Sequence, residues 1–265
     1  MPSSELNVRL LTHTLDSKNV IATAAKLCYS GSNIGQLQNK ISENDQSEFL
    51  KKLIDMNHYS PIEHASFTFA IEGVSRALLA QITRHRIASF SVKSQRYVDY
   101  SKNGEFEYIV PPSISKLGDE AVEEYKNQMK QINKWYKQWN EVLGEDKKED
   151  ARFVLPNAAE TKMLMTVNVR ELMHIFNLRC CNRAQWEVRA MCWNMLGLCL
   201  SVEPELFSNS GPICCFKPCD QGAFSCKKAK EVALDLCKLK AFVSANSVME
   251  NFSDLLGEWI KENIL

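Results

Sequence analysis

The stretch "HASFTFAIEGVSRALLAQITRHR", His64 to Arg86, changes its periodicity partway along. Between Ser66 and Glu72 apolar and polar residues alternate, with Phe67, Phe69 and Ile71 on one face and Thr68 and Glu72 on the other. A period of two is that of a half-buried strand. Beyond Gly73 the apolar residues Leu78, Leu79 and Ile82 fall at helical spacing. The stretch therefore predicts a strand ending at Gly73 that feeds directly into a helix.

The flanking chain repeats this mixture. "LNVRLLTHT" reads as a strand, and "DSKNVIATAAKLCYS" as a helix capped by Asp16. "SENDQSEFLKKLIDMN" reads as a second helix, capped by Ser42. "EFEYIVPP" is a short strand stopped by Pro111 and Pro112. From Asp119 to Leu143, Val122, Tyr125, Met129, Ile132, Tyr136, Trp139 and Leu143 mark a long amphipathic helix. "ETKMLMTVNV" is another strand; "RELMHIFNLRCC" and "AQWEVRAMCWNMLGLCL" are helices, and two more follow Lys227. Long helices with a few scattered strands predict an α+β fold, a single domain whose central mixed or antiparallel sheet is flanked by long helices. Residues 1–226 are expected to form the main domain, and 227–265 a helical C-terminal extension packed on it.

Composition narrows the function. The 265 residues carry 32 basic and 32 acidic side chains, a net charge of zero, which argues against a general nucleic-acid binder or a membrane-surface protein. No apolar run reaches the length of a bilayer span. The N-terminal "MPSSELNVRLLTHTLDS" has Arg9 and Asp16 where a signal peptide needs an apolar core, so the expectation is a cytoplasmic protein with its ten cysteines reduced. Cys28, Cys180, Cys181, Cys192 and Cys199 lie in apolar periodic segments and read as small core residues. Cys214, Cys215, Cys219 and Cys226 fall in a Pro/Gly-bearing stretch. Cys215 and Cys219 approach the spacing of a zinc-binding pair, but Cys226 has no close partner and no nearby His; partly buried free thiols are expected, and no metal. No G-x-G-x-x-G or Walker loop is present.

Against this neutral background, "TRHRIASFSVKSQRY", Thr83 to Tyr97, gathers Arg84, His85, Arg86, Lys93 and Arg96 with three Ser and no carboxylate. A helix C-terminus favours one or two cations through its dipole, but that does not account for Ser94, Gln95 and Arg96. Arg presents a planar fork that matches phosphate oxygens two at a time. A phosphorylated small ligand is therefore the sharper reading. A second cluster, Asn168, Arg170, His174 and Arg179, lies in "TVNVRELMHIFNLRCCNRAQWEVR". Arg170 and His174 are four apart and share a helical face. Arg179 ends the apolar run "LMHIFNL" and should be partly buried, yet its near neighbours offer no anionic partner. Arg152, in "EDARFVLP", is a third candidate, with Glu149 three residues before it in reach as an ion-pair partner.

"RHRIASFSVKS" fits the signature Arg-His-Arg, seven residues, Ser of the flavin-dependent thymidylate synthases. The blocks "HYSPIEHASFTFAIEG", "ARFVLPNAAETKMLMTVNVREL" and "NLRCCNRAQWEVR" resemble that family in the same order, over roughly Leu6 to Cys226. The resemblance implies methylation of deoxyuridine monophosphate (dUMP) with methylenetetrahydrofolate as one-carbon donor, NADPH as electron source and FAD as bound cofactor. It implies a homotetramer with shared active sites. Position by position, Arg84, His85 and Arg86 resemble the flavin contacts of the signature, with Arg84 also facing the nucleotide. Gln81, Ser94, Gln95, Arg96 and Arg152 resemble the nucleotide ligands. Arg179 resembles the catalytic arginine that binds the substrate and stabilises the ionised uracil ring. Asn168, Arg170 and His174 resemble a second flavin set; His58 and Ser60 match positions approaching the flavin, Ser60 from a neighbouring subunit. His174 stands where some members have Asn, and Lys93 where Gln is familiar.

Other readings stand beside this one. Classical, flavin-free thymidylate synthases use a Cys after Pro, and Pro218-Cys219 occurs here without the rest of that pattern. Ser94 as a nucleophile would need a general base, and its surroundings supply cations. His64, opening an apolar strand, reads as structural. A nucleic-acid-binding regulator would show affinity falling steeply with salt and no chromophore. A flavin enzyme of another substrate would need neither folate nor nucleotide phosphate.

Overall fold

A computed structural model describes residues 4–97, 105–144 and 147–265. The strands β1 (Asn7–His13), β2 (Ser66–Ser75), β3 (Ala88–Val92) and β4 (Glu160–Asn168) form one antiparallel sheet in the order β1-β2-β4-β3. The helices are α1 (Ser17–Leu27), α2 (Ile34–Ser42), α3 (Ser47–Asp55), α4 (Arg76–Ile82), α5 (Pro112–Ser115), α6 (Asp119–Leu143), α7 (Lys148–Ala151), α8 (Val169–Arg179), α9 (Trp186–Val202), α10 (Ala229–Asn246) and α11 (Phe252–Asn263). The architecture is α+β, as the periodicities require. Internal contacts divide the chain into two compact units. The first unit comprises Met1–Asn7, Ile71–Arg84 and Phe90–Leu164; the second comprises Val8–Ala70, His85–Ser89 and Met165–Leu265.

In the first unit, α6 spans the predicted residues and lays Met129 and Tyr136, two turns apart, against Phe106, Tyr108, Ala151 and Ala159. Asn133 lies buried in the same stripe, its amide oxygen accepting from the Phe106 N–H at 3.4 Å. The strand expected at "EFEYIVPP" is reduced to a single bridge between Tyr108 and Ala159. Pro111 and Pro112 have no N–H to extend a ladder, and Pro112 instead opens α5, where the missing donor costs nothing.

β2 does not stop at Gly73; it continues to Ser75 with Gly73 at φ +67°. A Cβ at this position would stand 1.8 Å from the Glu5 carbonyl oxygen. Two independent obstacles, a left-handed backbone and a backbone collision, thus demand glycine. Gly73→Ala is expected to cost about 3 kcal/mol or more, since strain of this kind alone costs about 1–3 kcal/mol. A chemical denaturation series comparing the variant with its parent checks this, and unchanged stability would refute it.

In the second unit, Phe67 of β2 meets Phe207 edge-on at 5.4 Å, and Phe207 in turn meets Phe176 of α8 at 6.0 Å. α9 is apolar on nearly every side and is correspondingly buried from Ala190 to Leu200, with α8, α10 and α11 packed around it. Gly197 of α9 lets Leu256 of α11 approach so closely that a Cβ would sit 2.7 Å from the leucine side chain.

Several local expectations fail for identifiable reasons. Ser42 ends α2, a helix the patterning did not disclose, rather than capping α3; Gln46 occupies the N-cap position of α3. Gln46 is buried and donates its amide to the carbonyls of Ile41 and Asn44, closing the turn between the two helices. Asp16 does hold the N-cap position of α1, but in a left-handed conformation (φ 53°) its carboxylate accepts from the Asn19 side chain and not from the helix backbone. β3 lies within the basic segment, where no strand was expected. Cys180, Cys192 and Cys199 are buried as expected, and burial pushes the Cys192 thiol up to about 12; Cys28 is exposed and Cys181 only half-buried, against expectation. Among the described residues no helix is long and apolar enough to cross a membrane.

Candidate functional site

In the first unit, the turn into α4 is built by local bonding. Ser75 caps the helix, its hydroxyl oxygen accepting from the Leu78 N–H at 3.0 Å, and the N–H groups of Arg76 and Ala77 donate to the carbonyls of Ala159 and Asn157. At the far end Thr83 donates to the Leu79 carbonyl and Arg84 Nε to the Ala80 carbonyl at 3.2 Å. Gln81 and Arg84 thereby stand one turn apart at the end of α4, with Arg84 exposed.

The segment after β3 is also structured by its own polar groups. Lys93 donates to Glu160 at 3.2 Å, and Glu160 is only 5% exposed. The ammonium at position 93 is therefore the counter-charge of a buried carboxylate, which would be costly to leave unpaired. Ser94 accepts from the Arg96 N–H at 3.1 Å, tightening the turn, while Gln95 is buried. Arg96 Nε pairs with Glu149 at 2.7 Å, both side chains about half exposed. Glu149 thus serves Arg96 and not Arg152, the partner that sequence proximity pointed to. Arg152 lies half-buried in a single 3-10 turn, Arg152–Val154.

In the second unit, α8 organises the site. Asn168 is its N-cap, the amide oxygen accepting from the Glu171 N–H at 2.9 Å, so the amide nitrogen is the group it can offer a ligand. Arg170 forms an ion pair with Glu63, both partly exposed. His58 is half-buried, and Ser60, exposed, precedes the 3-10 turn Pro61–His64. Arg86 is exposed.

His85 behaves differently from its signature neighbours. It is 5% exposed, and both ring nitrogens are engaged within the protein: Nδ1 lies 2.9 Å from Glu171 Oε1, and Arg179 Nε donates to Nε2 at 3.0 Å. A guanidinium can only donate, so Nε2 must be the acceptor; Nδ1 then carries the proton and donates to Glu171. His85 is accordingly a neutral imidazole of one tautomer. Burial lowers its pKa below the ordinary value, as does the Arg179 charge, while the bond to Glu171 works in the opposite sense. The exposed His174 ring meets it edge-on at 5.9 Å. Donor atoms of His85, Glu171 and His174 lie within 4.8 Å of one another. With Nε2 occupied by Arg179 and Nδ1 protonated, however, His85 has no lone pair to give a metal.

Glu171 is the residue sequence reasoning missed. An anion linked to Arg179 stands eight residues earlier, two turns away on the same helix, and reaches it through a histidine from a distant segment. Alongside α8 runs a cleft of about 620 Å³ whose lining includes Asn57, Tyr59, Arg170, His174, Asn177 and Lys217. That size is ordinary for a small-molecule site. Tyr59, Asn177 and Lys217 were likewise not singled out, since nothing local marks them. Cys214 and Cys215 are half-buried, and burial raises both thiols, Cys215 to about 12, leaving them largely un-ionised at neutral pH.

The chain matches the family described as thymidylate synthase complementing protein over residues 9–205. It is 46% identical over 229 residues to a flavin-dependent thymidylate synthase of Geobacter sulfurreducens, covering 86% of this chain and 96% of that one. It is 45% identical over 240 residues to another from Clostridium tetani, covering 86% and 95% respectively. Among solved structures, a UMP/dUMP methylase, PolB, from Streptomyces cacaoi bound with 5-Br dUMP shares the fold with a TM-score of 0.62, at 21% identity over 78% of this chain and 96% of that one.

Proposed function

Because this chain belongs to the flavin-dependent thymidylate synthase family, we propose that it methylates dUMP to thymidine monophosphate, using FAD, methylenetetrahydrofolate and NADPH, as a homotetramer with shared active sites. The observation that carries the reading is Arg179: a half-buried guanidinium whose Nε is held on a neutral histidine. The methyl-accepting carbon of uracil becomes nucleophilic when the ring imide loses its proton, and the resulting negative charge needs a fixed cation. Arg179 meets that need electrostatically, as a fixed cation and not as a base.

The other residues divide by unit. Gln81, Arg84, Ser94, Gln95, Arg96 and Arg152, in the first unit, bind the nucleotide, and Arg84 contacts the flavin as well. His58, Ser60, Arg86, Asn168, Arg170 and His174, in the second, hold the flavin, whose contribution is the reducing hydride. The donor set fits such a group. Arg86 and Arg170 are exposed cations suited to a pyrophosphate, and the Arg170–Glu63 pair, being exposed, is worth at most about 1 kcal/mol and is readily exchanged for a phosphate. His85 is a flavin contact only through its ring, because its nitrogens are taken.

The expected result is a protein that purifies yellow or takes up FAD by titration calorimetry. It should form thymidylate only when dUMP, methylenetetrahydrofolate and NADPH are all present. A colourless protein with no heat of FAD binding would overturn the reading. Light scattering at a mass near the 30.2 kDa chain would overturn the tetramer.

A further inference from the structure

We propose that Glu171 is a positioning residue which, through His85, fixes the orientation of Arg179 toward the uracil ring; this rests on the functional reading above. The three groups form one line: carboxylate to imidazole at 2.9 Å, imidazole to guanidinium at 3.0 Å. Each bond constrains the next. The Glu171 carboxylate can only accept, so it holds the proton on Nδ1. That leaves Nε2 as a lone pair, which only a donor can satisfy, and the donor is Arg179 Nε. The plane of the guanidinium is thereby set from behind. The Glu171 backbone N–H donates to the Asn168 cap at 2.9 Å, which fixes the main chain from which the carboxylate springs in the first turn of α8. Burial strengthens the arrangement: His85 is 5% and Glu171 11% exposed, where water competes little for their bonds.

The relay has a defined failure mode. Protonating His85 puts a hydrogen on Nε2, which then faces the Arg179 N–H donor to donor, and the line breaks. Among the described residues, the charged and titratable groups facing the ring are Glu171, Arg179 and His174, all on α8. Of these, Glu171 favours the protonated imidazole and the two others oppose it. The sign follows: replacing Glu171 by neutral Gln lowers the His85 pKa further. The acid limb of kcat against pH should therefore move to lower pH in Glu171→Gln, a shift that mere loosening of the fold would not produce.

Glu171→Gln retains an acceptor for Nδ1–H and should keep kcat within about threefold of the parent. Glu171→Ala removes the acceptor and should lower kcat about ten- to hundredfold, the range typical of outer partners that orient a reacting group, with a smaller change in KM for dUMP. Nitrogen NMR of the histidine-labelled protein, needing no turnover, should show His85 protonated on Nδ1 in the parent and in Glu171→Gln. Three outcomes overturn the proposal: a parent His85 protonated on Nε2, a Glu171→Ala variant with parental kcat, or an acid limb that moves upward or not at all in Glu171→Gln. A parent that does not methylate dUMP sinks the functional reading instead, and the tautomer then decides whether the relay stands.

Discussion

Arg179→Ala is expected to lose nearly all thymidylate formation while the protein still binds flavin. The reason is differential: the guanidinium matters most when charge develops on the uracil ring, and a cation already held in place by His85 does not have to reorganise at that moment. Losing one such donor typically lowers the rate about a hundredfold to a thousandfold. The flavin should survive because the exposed cations proposed to hold it, Arg86 and Arg170, are not bonded to Arg179. Truncation also strips Nε2 of His85 of its donor in a buried place, so some loss of stability is expected beside the loss of rate. The decisive measurement is turnover of dUMP at saturating cofactors together with the flavin absorbance of the purified variant. Near-parental turnover would remove Arg179 from the chemistry.

Arg96→Ala is expected to raise KM for dUMP about ten- to hundredfold with little change in kcat. A hydrogen bond to a charged group is worth about 1.5–3 kcal/mol, and a phosphate remote from the reacting carbon is held equally before and during the reaction, which affects KM alone. The Arg96–Glu149 pair sharpens the test. On the proposed assignment Glu149 would compete with the phosphate for the same guanidinium, so Glu149→Gln should lower KM modestly where Arg96→Ala should raise it. Ser94→Ala should be milder, because the hydroxyl chiefly closes the turn onto the Arg96 N–H and supplies no general base. Steady-state kinetics on the three variants settle the assignment; parental KM in Arg96→Ala would remove Arg96 from the phosphate site.

Patterns that repeat within one element were legible from the chain alone. The long helix from Asp119 to Leu143, the alternation of Phe67, Phe69 and Ile71, and the apolar all-round helix after Gln185 are such cases. Each is set by side-chain periodicity against a single buried face, and each is found where it was expected. The basic segment announced an anionic ligand for a related reason: clustered charge is a local property. Boundaries were less legible. Ser42 and Asp16 have cap chemistry, but one ends a helix and the other sits in a left-handed conformation, outcomes decided by Gln46 and Asn19 bonding nearby. β2 passes through Gly73, where the backbone of Glu5, distant in sequence, leaves no room for a Cβ. Only the tertiary structure could decide who partners whom among the charges. Glu149 goes to Arg96, Lys93 to Glu160, Glu63 to Arg170, and Glu171 reaches Arg179 through a histidine 86 positions away in sequence from the carboxylate. Such pairings have no period to betray them. They depend on which side chains the fold brings within about 3 Å, the distance at which a hydrogen bond forms, and on burial that makes an unpaired charge too costly to leave.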